Sequence, residues 1–347
     1  MHLDLPATDE RKATVVSPSN IAFIKYWGAR DLSRVLPENA SFSMTLRTCH
    51  SRCSVEFVPD GTDHEVRWRA GDGAFETAPP SFADRVVAHL DRLREHYGCA
   101  GAFRVATENS FPSAAGLASS ASGFSALSLA VMGALGKDES LEVRSDWARR
   151  SGSGSASRSV YGGYVQWPAT VDAESHGESA CHAVQLWDAE HWDLRDVIAV
   201  VEDGHKEVSS LEGHRRARTS PYFETRLEVL PGRLDAVKKA MEAKDFDALG
   251  PVIEEEAIDL HCIGMTSTPA IYYWKPATLA VLEAVRGLRK NGVPAWITMD
   301  AGANVHVICE PRSEEAVVER LKEIDGVLQI LRDGVGSGPF YELKHLL

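Results

Sequence analysis

The chain has 347 residues, with 37 Lys+Arg against 50 Asp+Glu for a formal charge of −13, 44% hydrophobic and 25% charged residues. This composition excludes disorder as the main state and, at roughly 100–200 residues per domain, suffices for two domains with real cores. The acidic balance repels a nucleic-acid backbone or an anionic membrane on average; the basic cluster His214-Arg215-Arg216-Ala217-Arg218 is short, so neither partner is expected.

No window approaches the roughly 18–20 apolar residues of a spanning helix, and Met1 to Lys12 carries no apolar stretch, so the protein is read as cytoplasmic. Cys49, Cys53, Cys99, Cys181, Cys262 and Cys309 are scattered without CxxC or CxxH units and read as reduced, mostly structural thiols. There is no internal repeat and no low-complexity tract.

In chain order, Thr14 to Val16, Arg52 to Val58, Glu65 to Arg69 and Ala102 to Ala106 cluster or alternate β-formers between turn residues such as Pro59-Asp60-Gly61, and are predicted strands. Phe82, Val86, Val87, Leu90, Leu93 and Tyr97 recur at the helical period, with Gly98 as a stop. Helices are also predicted over Leu117 to Leu135, Arg233 to Leu249, Pro276 to Lys290 with Asn291-Gly292 as terminator, and Glu314 to Ile324 behind a Ser313 cap. Strands return at Val197 to Val201, Ala295 to Met299 and Val305 to Cys309. The irregular mixture predicts an α+β fold with largely antiparallel sheets. The division between domains is placed near residue 190, in the polar stretch Thr170 to Asp193, giving domains 1–190 and 191–347.

Two small-residue runs stand out. The first, Pro112-Ser113-Ala114-Ala115-Gly116-Leu117-Ala118-Ser119-Ser120-Ala121-Ser122-Gly123, leads into an apolar helix. Small side chains let backbone N–H groups approach an oligophosphate, and a helix start adds its positive dipole end; the same run would also permit close helix–sheet packing. It is neither GxxxxGK[ST] nor GxGxxG. The second, Ser151-Gly152-Ser153-Gly154-Ser155-Ala156-Ser157-Arg158-Ser159, ends in an arginine that suits a carboxylate or phosphate, or is a serine-rich loop.

With these runs, the chain resembles the mevalonate 5-diphosphate decarboxylase family of the GHMP kinase superfamily. Five segments carry the likeness in order: Ser19-Asn20-Ile21-Ala22-Phe23-Ile24-Lys25-Tyr26-Trp27-Gly28 with Leu36 to Leu46, the Pro112 run, the Ser153 run with Tyr161-Gly162-Gly163, Lys206-Glu207-Val208-Ser209-Ser210 with Gly213, and Met299-Asp300-Ala301-Gly302-Ala303-Asn304. The resemblance implies a two-domain GHMP kinase-like fold, with an N-terminal part like ribosomal protein S5 domain 2 and a C-terminal α/β sandwich carrying Asp300. It also implies a homodimer, and ATP with Mg²⁺ as cosubstrate and metal.

The implied reaction phosphorylates a tertiary 3-hydroxyl, after which phosphate and CO₂ leave together. Position by position, the resemblance makes Asp300 the group that orients or deprotonates that hydroxyl, Arg158 the holder of the substrate carboxylate, and Lys25 the lysine near the reacting groups. Tyr26, Ser153, Gly154, Ser155, Ser210 and Ala301 are placed at the substrate. Asn20, Ala115, Gly116, Ala118, Ser119, Ser120, Ser122 and Lys206 are placed at ATP, with Ser120 also at the metal. From its neighbours alone, Asp300 would read as a turn or capping residue beside Ala301-Gly302.

The sequence departs from the family at Ala29, where a second lysine is usual, and at Leu211 and His214, where bacterial members commonly carry arginine and methionine. A diphosphate monoester carries about one more negative charge than a monophosphate, and a partly buried phosphate without a cation is costly to desolvate. The expected substrate is therefore mevalonate 5-phosphate, giving isopentenyl phosphate, unless Arg30, His214, Arg215 or Arg216 compensates. The alternatives are the same reaction on the 5-diphosphate, a small-molecule kinase that stops at the phosphorylated alcohol, and a silent ATP-binding regulator.

Overall fold

The computed structural model describes residues 11–111, 119–168, 181–202, 204 and 207–347. The first part contains β1 (Lys12–Ile24), β2 (Ala29–Asp31), β3 (Leu36–Pro37), β4 (Ser41–Val58), β5 (Glu65–Arg69), β6 (Glu76–Thr77), α1 (Pro80–Tyr97), β7 (Ala102–Asn109), α2 (Ser119–Ala134), α3 (Leu141–Arg149), a 3₁₀ turn over Gly154–Val160, β8 (Tyr164–Trp167) and β9 (Val184–Trp187). The second contains β10 (Arg195–Val200), α4 (Ser210–Ala217), α5 (Phe223–Ala243), α6 (Phe246–Thr266), α7 (Pro276–Lys290), β11 (Ala295–Thr298), β12 (Val305–Cys309), α8 (Pro311–Lys322), β13 (Gln329–Gly334) and β14 (Phe340–Glu342).

The larger sheet runs β14-β1-β4-β7-β5-β6, with β8 on β4 and β9 on β8. All its pairs are antiparallel except β5 with β7. β1 and β4 are longer than the predicted Thr14 to Val16 and Arg52 to Val58, because buried hydroxyls interrupt the apolar alternation that the prediction relies on. Those hydroxyls bond across layers instead: Ser17 donates to Ser125 at 2.8 Å, and Ser51 lies 2.7 Å from Ser122. Both partners sit on α2, a helix buried nearly all round against β1 and β4.

The smaller sheet, β11-β12-β10-β13, is wholly antiparallel. Successive residues of β10 face opposite cores. Val197 and Ala199 pack with α7 and α8, while Ile198 and Val200 join α5 and α6 to Ile21, Phe23, Phe42 and Met44 of the larger sheet. The predicted helix Arg233 to Leu249 is two helices. α5 runs through Pro231 to Ala243 and is closed by Lys244, whose left-handed backbone (φ 52°) meets its last carbonyls; Asp245 then caps α6, accepting from the Ala248 N–H at 3.0 Å. α8 starts at Pro311 rather than Glu314, since proline is preorganised for a first turn, and Ser313 lies buried inside it.

Asp333 ties the two parts together, its carboxylate accepting the Arg47, Thr48 and Cys49 N–H groups at 2.8, 3.0 and 2.8 Å. All six cysteines are free thiols, and no described helix is long and apolar enough to cross a membrane.

Candidate active site

One cavity of about 590 Å³ lies where β1 ends, walled by the start of α2, the 3₁₀ turn, the start of α4, and the loop after β11. β1 delivers Lys25, Tyr26 and Trp27 to it, α2 delivers Ser119 and Ser120, the turn delivers Ser153, Gly154, Ser155 and Arg158, and the loop delivers Asp300 and Ala301. These residues lie far apart in sequence, and the β1–β4 pair and the smaller sheet fix their approach.

The Lys25 ammonium donates to Asp300 Oδ1 at 2.9 Å and to the Ala22 carbonyl at 2.6 Å. The side chain of Lys25 is 1% exposed, that of Asp300 27%. Burial lowers the Lys25 pKa, against the pull of Asp300; burial also acts to raise Asp300, but the Lys25 ammonium outweighs it and holds the carboxyl below its usual range. Asp300 is thus an ionised carboxylate facing the cavity. Its turn is closed by the backbone, the Gly302 N–H donating to the Asp300 carbonyl at 2.7 Å, which leaves the side chain free for Lys25.

Arg158 is buried beside them. Nε and Nη2 donate to Asn20 Oδ1 at 3.2 and 3.1 Å, and Nη1 donates to Ser41 Oγ. Burial brings its pKa down to about 10, which leaves it cationic at neutral pH. Asn20 therefore serves the arginine. Its amide donates to Ser155 O and Ser159 Oγ, and it does not line the cavity. Ser122 is likewise withdrawn, buried against Ser19 and Ser51. Both were expected at ATP, and neither reaches the cavity surface. Ser120 does, with Ser153 donating to it at 3.3 Å. Ser210 also lines the wall, whereas Ala115, Gly116, Ala118 and Lys206 lie outside the described residues.

Several lining residues were not among the expected site residues, Ser81, Arg85 and Leu260 among them. Arg85 of α1 reaches the wall with its guanidinium 4.8 Å from the Phe124 ring, at the α2 end of the cavity. Trp27 packs beneath α4. Among the four residues considered as a compensating cation, only His214 lines the cavity; Arg215 and Arg216 pair with Glu212. His214 is not a cation at neutral pH, because burial pushes its pKa down to about 4. Its ring lies 4.2 Å from Tyr26 and 4.9 Å from Trp27, and its Nδ1 accepts the Gly28 N–H at 3.1 Å, which leaves the ring proton on Nε2. Leu211 lines the cavity; Ala29, in β2, does not.

Gly213 lets α4 sit this close. A Cβ there would lie 2.2 Å from Trp27 Cη2 and 2.7 Å from Cζ2. Gly213→Ala is expected to cost roughly 1–3 kcal/mol by overpacking, read as a lowered melting temperature; an unchanged one would contradict this packing.

Among the described residues no group of three or more His, Cys, Asp or Glu could hold a metal ion. Residues 17–181 match the family model for the diphosphomevalonate decarboxylase-like N-terminal domain, and 196–332 that for the mevalonate 5-diphosphate decarboxylase C-terminal domain. The diphosphomevalonate decarboxylase of Candida albicans is 31% identical over 94% of this chain and 97% of its own length. The phosphomevalonate decarboxylase of Haloferax volcanii is 33% identical over 90% and 91%. A solved structure described as "MDDEF in complex with MVAPP, AMPPCP and Magnesium" is 32% identical, covers 95% of this chain and 98% of that one, and superposes with a TM-score of 0.86.

Proposed function

The chain belongs to the diphosphomevalonate decarboxylase family of ATP-dependent carboxy-lyases, and we propose that its own substrate is mevalonate 5-phosphate, converted with ATP to isopentenyl phosphate, ADP, phosphate and CO₂. The observation that carries the catalytic part is the Lys25–Asp300 pair at 2.9 Å, in one cavity with Arg158 and with Ser119 and Ser120.

The residues fit ATP and magnesium in one particular way. The start of α2 faces the cavity with two hydroxyls and supplies helix-end N–H groups for phosphate. With no carboxylate cluster among the described residues, the donor set suits a Mg²⁺ that would be held chiefly by phosphate oxygens and water, with Ser120 as the protein oxygen. When bound, the ion neutralises charge on the transferring phosphoryl group. A tertiary hydroxide is a poor leaving group, so phosphorylation of the 3-hydroxyl makes it departable. Asp300 aligns that hydroxyl and takes its proton, while Lys25 keeps Asp300 ionised and in place. Arg158 meets the substrate carboxylate, with Ser153 and Ser155 beside it, until that carboxylate leaves as CO₂ together with the phosphate. Measuring CO₂ release alongside ADP formation separates this from a kinase, which would give ADP alone.

The monophosphate reading rests on the α4 side of the wall. Leu211 is apolar, His214 offers one neutral N–H, and the start of α4 offers Ser209 and Ser210. Among the described residues, the cations on the cavity surface are Lys25, Arg85 and Arg158. Lys25 is bonded to Asp300, and Arg158 to Asn20 and Ser41. A terminal second phosphate would find little positive charge at Leu211.

The expected result is a higher kcat/KM for the 5-phosphate than for the 5-diphosphate; equality or the reverse order returns the chain to diphosphate decarboxylation. Leu211→Arg should narrow the difference by roughly tenfold, since a charge-assisted bond is worth about 1.5–3 kcal/mol when well aimed. We further take the domains to divide near residue 190, between the two matched segments, and the protein to act in the cytoplasm as a homodimer, which size-exclusion chromatography with light scattering tests.

A further inference from the structure

Lys25, Tyr26 and Trp27 follow the last residue of β1 and belong to no strand, yet all three line the cavity. Their backbone groups have no sheet ladder to complete, and buried backbone polar groups need partners. Helices from the second part supply them. Glu256 of α6, wholly buried, accepts the Lys25 N–H at 3.1 Å. Arg226 of α5 donates to the Lys25 carbonyl at 3.0 Å and the Trp27 carbonyl at 3.4 Å, and bonds to the Glu256 carboxylate. Arg233 closes the other side, 2.8 Å from Glu256 Oε2 and 2.6 Å from Asp259. Asn39 adds a donor to the Lys25 carbonyl at 2.9 Å.

A carboxylate with no exposure persists only where its charge is paired and its oxygens are bonded. Here that carboxylate is spent on the main chain of the residue whose side chain grips Asp300. We propose that Glu256, with Arg226, is a positioning residue of this enzyme: the two side chains hold the main chain of Lys25 and so set the height and direction of its ammonium against Asp300. This rests on the assignment of Lys25 and Asp300 to the reacting centre. The charges facing Lys25 are Asp300 and Glu256, which favour the ammonium, and Arg158, which opposes it; burial opposes it most. Asp196, buried on β10 of the smaller sheet and bonded to His306, also feels Lys25.

The test compares three variants with the parent by kcat, KM for each substrate, pH profile and thermal melt. Glu256→Gln keeps the side-chain shape but removes the charge. It should lower kcat by about tenfold or more, as a small misplacement of reacting groups does, with ATP KM little changed. It should also move the alkaline limb of kcat/KM to lower pH, because losing a neighbouring negative charge makes Lys25 easier to deprotonate. Asp259→Asn removes the charge of one outer partner of Arg233, leaving Glu255 at 3.8 Å, without touching Lys25, and should change the melt only. Arg226→Lys retains charge but cannot span two carbonyls and Glu256; it should lower kcat with the alkaline limb in place.

A Glu256→Gln enzyme with parental kcat and pH profile, or an Asp259→Asn enzyme with the same shifted limb, overturns the proposal. If Glu256→Gln does not fold, parental kcat in Arg226→Lys does so instead. Lys25→Met separates the two layers: if that variant turns over normally, it is the catalytic reading of Lys25 that fails.

Discussion

Asp300→Asn is expected to remove ADP formation and CO₂ release together, by about 10²–10⁴ in rate, while ATP binding stays near the parental value. Asparagine keeps the size of the side chain and its place in the turn, which the Gly302 N–H to Asp300 carbonyl bond closes without the carboxylate. What is lost is the charge. An amide cannot take the proton of the 3-hydroxyl, so the first step stalls and the second has no phosphorylated intermediate to act on. The substitution also strips Lys25 of the counter-charge it touches: a 1%-exposed ammonium left with the Ala22 carbonyl and the negative charge of Glu256 is driven further toward the neutral amine.

The pH dependence has a definite sign. Because Lys25 holds the Asp300 carboxyl below its usual range, the parent should keep its ionised aspartate on the acid side, with the acid limb of kcat/KM lying below an ordinary carboxylate's titration. Isothermal titration with ATP and paired ADP and CO₂ assays decide the matter. Turnover within about threefold of the parent is far short of the loss of a base, and would remove Asp300 from this role.

The fold and the site were legible to different degrees for physical reasons. Helix α1 announces itself because one face is wet and the other dry, so Phe82 through Tyr97 carry the helical period. β1 and β4 do not, because their hidden faces are rich in serine and threonine that bond to α2 and the 3₁₀ turn rather than to water. Arg158 stands out locally, a lone charge closing a run of small residues, whereas Lys25, between Ile24 and Tyr26, and Asp300, which reads locally as a turn residue beside Ala301-Gly302, are singled out only by the family resemblance.

Asn20 shows the opposite case. The resemblance placed it at ATP, but which neighbour claims an amide is settled by β1 lying against the 3₁₀ turn, and that neighbour is Arg158. Arg85, His214 and Glu256 lie on ordinary amphipathic or buried helices. Only the crossing of α1, α4 and α6 with the end of β1 turns them toward one place, and no local pattern records such a crossing.

Arg158→Met is the second large expected effect. Arg158 is buried, and its guanidinium spends Nε and Nη2 on Asn20 and Nη1 on Ser41, which fixes its plane before any substrate arrives. Asn20 is itself held by Ser155 and Ser159, so the arginine is preorganised by the turn that carries it. With a pKa of about 10 it is a cation at working pH, and a carboxylate brought against it out of water gains a charge-assisted bond in a poorly screened site.

Removing one partner of such a buried charge pair costs about 2–5 kcal/mol, or roughly 30- to several-thousand-fold in kcat/KM. The loss should appear in both parameters, with substrate KM raised because the carboxylate is unheld and kcat lowered because the group that must leave is misaligned. Nucleotide affinity should not change, since the guanidinium is turned to Asn20 and Ser41 rather than to the start of α2. Arg158→Lys should fall between the two, because one ammonium cannot serve Asn20, Ser41 and a carboxylate at once. Weakened ATP binding with normal substrate kinetics would place this arginine on the nucleotide instead, and among the described cavity residues would leave the departing carboxylate only Lys25, already bonded to Asp300, and Arg85, at the α2 end.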